Sequence, residues 1–207
     1  MATVTTAATA RLRLGSRSAG LLLTPEEFDA ASFRRGPRYE LINGVLVVSP
    51  SPMKQERDPN EEFGYLLRKY KEEHPEGHSL DATLSEETIH STPNRRRADR
   101  VIWAGLGRLP HRDDPPTIIV EFVSKGRVSR ERDHVARRAE YGMIGTREYV
   151  IVDRFQRTMT VVDYSRPEVA PRVLGESDIY TTPLLAGFSV PVARLFALAD
   201  RWDKREE

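Results

Sequence analysis

One segment constrains this chain more than any other: TIIVEFVSKG, Thr117 to Gly126. Ile118, Ile119, Val120, Phe122 and Val123 put apolar side chains on both faces of an extended run, the pattern of a central strand covered on both sides. In its middle stands a carboxylate, Glu121. An ionised Glu in such a place costs several kcal/mol unless something pairs with it. The partner is either an arginine, with Arg137 and Arg97 as candidates, or a metal ion. The first is structure and the second is chemistry.

The rest of the chain reads as one mixed α/β domain over 24–202. Thr24-Pro25-Glu26-Glu27 is a helix start, with Thr24 as N-cap, Pro25 in the first turn and two acids at the positive dipole end. RYELINGVLVVS, Arg38 to Ser49, is a hairpin around Asn43-Gly44. Asn60 to His74 is amphipathic with Phe63, Leu66, Leu67 and Tyr70 on its stripe, and Pro75 and Gly77 stop it. Short strands are expected at 78–84, 86–90, 99–103 and 117–124. A helix over 130–143, strands at 148–153 and 158–164, a short strand at 188–190 and a closing helix over 191–202 complete the pass. Residues 203–207 read as a charged tail.

Residues 1–23 are rich in Ala, Thr and Ser, carry Arg11, Arg13 and Arg17, and contain no acid. A transit peptide has that composition, but a loose tail or a misplaced start is the reading adopted, and no secretory signal core is present. The chain has no cysteine, which removes disulfides and thiolate metal sites and suits a reducing cytoplasm. No apolar run nears the roughly 20 residues that span a bilayer. His74 and His78 make no zinc site, because Pro75 and Gly77 break the helix that would align them.

Two further acids interrupt strand-like segments: Glu40 in the first hairpin strand and Asp99 at the start of ADRVIW. If the Asp99 and Glu121 strands are neighbours, both carboxylates face one cleft. Convergent carboxylates without thiolates or histidines suit a hard cation, Mg²⁺ or Mn²⁺. The structural alternatives are a turn cap for Asp99, a cross-strand arginine for Glu40 and an i,i+4 helical pair with Asp133 for Arg137. Tyr141 and Trp103 read as core aromatics rather than base-stacking platforms.

YELINGVLVVSPSP, ADRVIW, VEFVS, a helix ending AEYGMIG, and EYVIVD follow one another in this order. The string resembles the Uma-type family of putative restriction endonucleases, within the PD-(D/E)XK nuclease superfamily, over roughly Thr24 to Tyr164. The resemblance implies a restriction-endonuclease-like α/β fold, a mixed central β-sheet flanked by helices. It also implies metal-dependent hydrolysis of DNA phosphodiester bonds by a metal-activated water. Asp99 matches the PD acid, Glu121 the (D/E) acid and Glu40 an upstream third acid. The superfamily lysine position holds Val123, and the position from which a lysine comes in the Uma-type pattern, four before Tyr141, holds Arg137. Ala98 replaces the Pro before Asp99. Arginine stabilises a phosphate but cannot act as a base; Lys125 is the nearest amine.

Between Asn94 and Arg138 twelve Lys/Arg stand against six Asp/Glu. Arg95, Arg96, Arg97, Arg127 and Arg130 are therefore the expected phosphate-tracking residues. DNA is the expected partner, with RNA and a homodimer left open. The rival is a nuclease fold that lost its catalytic lysine and serves as a DNA- or partner-binding module.

Overall fold

The computed structural model describes residues 11–124 and 127–203, apart from the side chains of 127–134. The chain folds as a large mixed sheet flanked by helices and divides into two compact units: Met1–Ser51 with Thr92–Arg96, and Pro52–Ser91 with Arg97–Glu207.

In the first unit, strand β1 (Arg13–Leu14) runs parallel to β2 (Ser32–Phe33). Helix α1 (Pro25–Ala30) starts as its sequence dictates: Thr24 Oγ1 accepts from the Glu27 N–H (3.2 Å) and Glu27 Oε2 from the Thr24 N–H (2.8 Å), a reciprocal cap. Strands β3 (Arg38–Ile42) and β4 (Val45–Ser49) pair antiparallel across Asn43 and Gly44, both at positive φ (49° and 79°), as a tight two-residue hairpin turn requires. The expectation of a loose chain before Thr24 fails for residues 11–23. Leu14 is fully buried with Phe28, Tyr39, Leu41 and Leu46, and the backbone of 20–23 bonds to Gly44 and Leu46. Burial of an alternating apolar side chain holds that segment, which composition alone could not reveal.

The first residues of β6 (Asn94–Ala104) pair antiparallel with β3, Leu41 opposite Arg95. The arginine run at 95–97 thus lies within a strand that begins five residues before the expected start at 99.

In the second unit, helix α2 (Lys54–Glu73) begins six residues earlier than expected, past Pro59. Glu56 supports that start by accepting from the Met53 N–H (3.0 Å). Strand β5 (Leu80–Ser91) is continuous where two short strands were expected; Glu86 at φ 56° marks the break in pattern. The strands run in the order β10 (Arg172–Leu174), β9 (Thr158–Asp163), β8 (Glu148–Asp153), β7 (Ile118–Phe122), β6, with β5 also on β6. Strand β7 is antiparallel to β6 and parallel to β8, and helix α3 (Arg127–Met143) crosses between them. Strands β11 (Ile179–Thr181) and β12 (Ser189–Pro191) form a small ribbon before α4 (Val192–Asp203).

Alternation along β7 sorts the core. Ile118, Val120 and Phe122 pack with Phe63 and Leu67 of α2 and with Leu195 and Phe196 of α4. Ile119 points the other way, into a layer with Val101, Trp103, Tyr149 and Tyr141 of α3. Asp203, assigned above to a charged tail, instead ends α4 and accepts from Gln55 Nε2 (3.1 Å) and Arg154 Nη1 (2.8 Å). Among the described residues no helix is long and apolar enough to cross a membrane.

Candidate active site

Glu121 shares the parity of Ile119, so its side chain lies on the α3 face of the sheet. Asp99 shares the parity of Val101 and Trp103 and lies on the same face. The β6–β7 register sets Arg100 against Val120, and one step further along it places Asp99 across from Glu121. Both acids are almost sealed, at 4% and 5% exposed. Register and burial thus leave the two acids across from one another on one covered face of the sheet.

Each acid is held. Asp99 Oδ2 accepts from the Phe122 N–H (2.6 Å), which ties the side chain to the strand that carries Glu121. From the other face, Asn60 Nδ2 donates to the Asp99 carbonyl (2.8 Å). Asn60 is in turn gripped by Arg100, whose Nε donates to Asn60 Oδ1 (2.7 Å) and Nη2 to the Asn60 carbonyl (2.9 Å). Burial lowers the Arg100 guanidinium to about 10.

Glu121 Oε1 accepts from Arg137 Nη1 (2.7 Å) and from the Tyr141 hydroxyl (2.9 Å), and the same Arg137 nitrogen donates to Tyr141 Oη (3.1 Å). Arg137 and Tyr141 are one turn apart on α3, so both reach the same carboxylate. The ring of Tyr141 stands edge-on to Tyr149 at 5.2 Å, which fixes the hydroxyl. The opening question about Glu121 thus has its structural answer: its charge is met by Arg137. Asp133, the alternative partner for Arg137, has its side chain outside the described residues.

Glu40 is buried on β3 in the first unit. The register that sets Leu41 against Arg95 puts Arg96 across from Glu40 on the same face of that unit. Register thus gives Glu40 an arginine as its cross-strand neighbour.

The expected phosphate-tracking strip needs correction. Arg95 forks Asp29, Nε to Oδ1 at 2.9 Å and Nη2 to Oδ2 at 2.8 Å, and is 9% exposed. Arg96 is 2% exposed. Arg97 pairs with Glu86 at 3.2 Å. Burial takes Arg95 and Arg96 away from solvent, while Arg97 stays partly exposed with its charge met by Glu86. Lys125 lies outside the described residues, as do the side chains of Arg127 and Arg130. The role of Asn60 could not have been read from the chain, since it acts across 39 positions. Tyr141 carried one signal, its i+4 distance from Arg137, and was read as core only.

Two carboxylates offer hard oxygen donors, and Mg²⁺ is commonly held by one or two carboxylates with water and substrate phosphate completing its shell. The donor set fits such an ion. No group of three or more Asp, Glu or His side chains that could hold a metal occurs among the described residues.

A large mixed sheet flanked by helices defines a restriction-endonuclease-like fold. The chain belongs to the Uma2 family, described as putative restriction endonuclease, whose model matches residues 25–193. A solved structure described as a putative nuclease belonging to DUF820, from Anabaena variabilis, superposes with a TM-score of 0.67 at 13% identity, covering 86% of this chain and 99% of that one. That likeness concerns the fold. No curated protein matches the chain.

Proposed function

We propose that this chain is a metal-dependent endonuclease that hydrolyses phosphodiester bonds of DNA. The observation that carries the reading is the placement of Asp99 and Glu121 on one face of adjoining strands. Family membership supplies the reaction class. Asp99 and Glu121 would hold Mg²⁺ or Mn²⁺. Such an ion, when bound, neutralises charge on a phosphate and lowers the pKa of a water.

The chain's own groups do the rest. The Phe122 N–H and Asn60 fix Asp99, so the acid is oriented before substrate arrives. Tyr141 holds the Glu121 carboxylate when Arg137 turns toward a phosphate. Arg137 stays charged at every working pH and stabilises the extra negative charge of the transition state, but it takes no proton. Lys125 is the second candidate for that cation.

One observation favours a second reading, a fold that lost its lysine and binds DNA or a partner without cutting. Arg137 is committed to Glu121 and buried beside it, as a structural ion pair would be.

Plasmid nicking with Mn²⁺, Mg²⁺ or EDTA separates the two. The nuclease reading expects metal-dependent cutting by the wild type that Glu121→Ala abolishes. No cutting by the wild type, followed by cutting in Arg137→Lys, supports the second reading. Equal cutting by wild type and Glu121→Ala sinks the assignment of the site.

A further inference from the structure

Nothing above accounts for the charge at the N-terminal end of the first unit. Arg11, Arg13 and Arg17 are exposed; β1 sets Arg13 opposite Ser32 of β2, Arg17 follows in a 3-10 turn (Ser16–Ser18), and after β2 Arg34 and Arg35 are exposed as well. No acidic residue occurs in 11–23 or in 31–38. Among the described residues none of the five arginines has an ion-pair partner; Arg11 Nε donates to the Ala30 carbonyl (2.8 Å). Of the three acids of the intervening α1, Glu27 accepts from the Thr24 N–H and Asp29 pairs with Arg95, which leaves the exposed Glu26 as the one nearby counter-charge. Residues 11–23 also lie before the part of the chain that the family model matches.

These arginines sit on a built frame. Leu14 is fully buried, the Ser32 N–H donates to the Leu12 carbonyl (2.8 Å), and the Arg34 N–H donates to the Leu14 carbonyl (2.9 Å). Arg34 lies across Gly15, its Cδ 2.9 Å from where a Cβ would stand, so the absence of a side chain at 15 makes room for it. Guanidiniums on an ordered strap lose less freedom on binding than the same charges on a loose tail. The planar fork of arginine matches phosphate oxygens, and a row of such forks with no acid among them fits a polyanion. Phe33, the aromatic ring between the arginines, is packed on Phe28 and Tyr39 (5.0 and 4.9 Å), which leaves it unsuited to insert into a lipid layer.

We propose that residues 11–17 with Arg34 and Arg35 form a basic strap that holds the phosphate backbone of duplex DNA without regard to base sequence. The choice of DNA rests on the nuclease reading; the polyanion site itself does not.

The test is binding of a fluorescent DNA duplex by the full chain across a salt series, compared with Arg13→Gln/Arg17→Gln/Arg35→Gln. Loss of about tenfold in affinity at low salt, with the log–log salt slope shallower by about two to three, is expected from the phosphate contacts removed. The lysine triple variant should recover most of the slope, and a shuffled duplex should bind equally. A glutamine variant that melts like the wild type yet binds DNA unchanged overturns the proposal. So does preference of the wild type for anionic phospholipid vesicles over DNA. Binding that needs the strap in a chain that cuts no plasmid removes the nuclease reading and leaves the strap. Cutting by a chain whose strap variant binds as before does the reverse.

Discussion

Arg137 Nη1 stands 2.7 Å from Glu121 Oε1, and both side chains are nearly sealed from solvent. A buried pair of this kind behaves asymmetrically: breaking it costs more than never having had it. Arg137→Ala strands the Glu121 charge and is expected to destabilise the fold by about 3–5 kcal/mol. The double variant Glu121→Gln/Arg137→Ala should lose less than the sum of the losses of Glu121→Gln and Arg137→Ala. Denaturant unfolding of all four proteins measures this, and strict additivity would show that the two groups do not interact.

Tyr141→Phe keeps the ring against Tyr149 and removes only the hydroxyl, which bonds both Glu121 and Arg137. Hydrogen bonds to charged groups contribute about 1.5–3 kcal/mol, and a loss of that size is expected. A Phe variant as stable as the wild type would mean that the hydroxyl is incidental to the site.

Gly64 is interior to α2, where helix propensity favours Ala by about 1 kcal/mol. Here the opposite sign is expected. A Cβ at 64 would lie 2.6 Å from the Arg100 guanidinium, which is pinned by Asn60 and by Thr83 (3.2 Å) and cannot withdraw freely. Gly64→Ala should destabilise by about 1–3 kcal/mol, as overpacking does. A rise in thermal midpoint would show that Arg100 has room to move.

Burial raises the Glu148 carboxyl above its ordinary 4.5, against hydrogen bonds from Tyr180 and Thr182 that act the other way. The folded chain then holds this proton more tightly than the unfolded chain. The resulting stability is complete below about pH 4.5 and is lost as pH rises through the folded value. Relative to Glu148→Gln, the wild type should therefore be most stable in acid and should fall behind as pH approaches neutrality. Thermal melts of both proteins over that range decide it; a gap independent of pH would place the Glu148 pKa at its ordinary value.

Local patterns were legible wherever neighbouring residues decide the outcome. The Thr24 cap, the Asn43-Gly44 turn, the apolar strand at 148–153 and the strand around Glu121 all appear as expected. Asp99 and Glu121 interrupt strand-like segments in the sequence, and those strands proved to be adjacent. The arginines were not legible: Arg95, Arg96 and Arg97 look like a solvated charge run, and the strap at 11–23 looks like a tail.

By itself, the sequence determined that Glu121 would be buried and would need a cation, because alternation and strand chemistry act through adjacent residues. Which cation answered was decided by tertiary structure, since α3 brings Arg137 back over the sheet from 16 positions away and leaves Arg97 with Glu86. The same holds for Arg95, whose acid lies 66 positions off on α1. Partner choice among charges depends on strand register and on which face a helix covers, and neither is set until the layers pack.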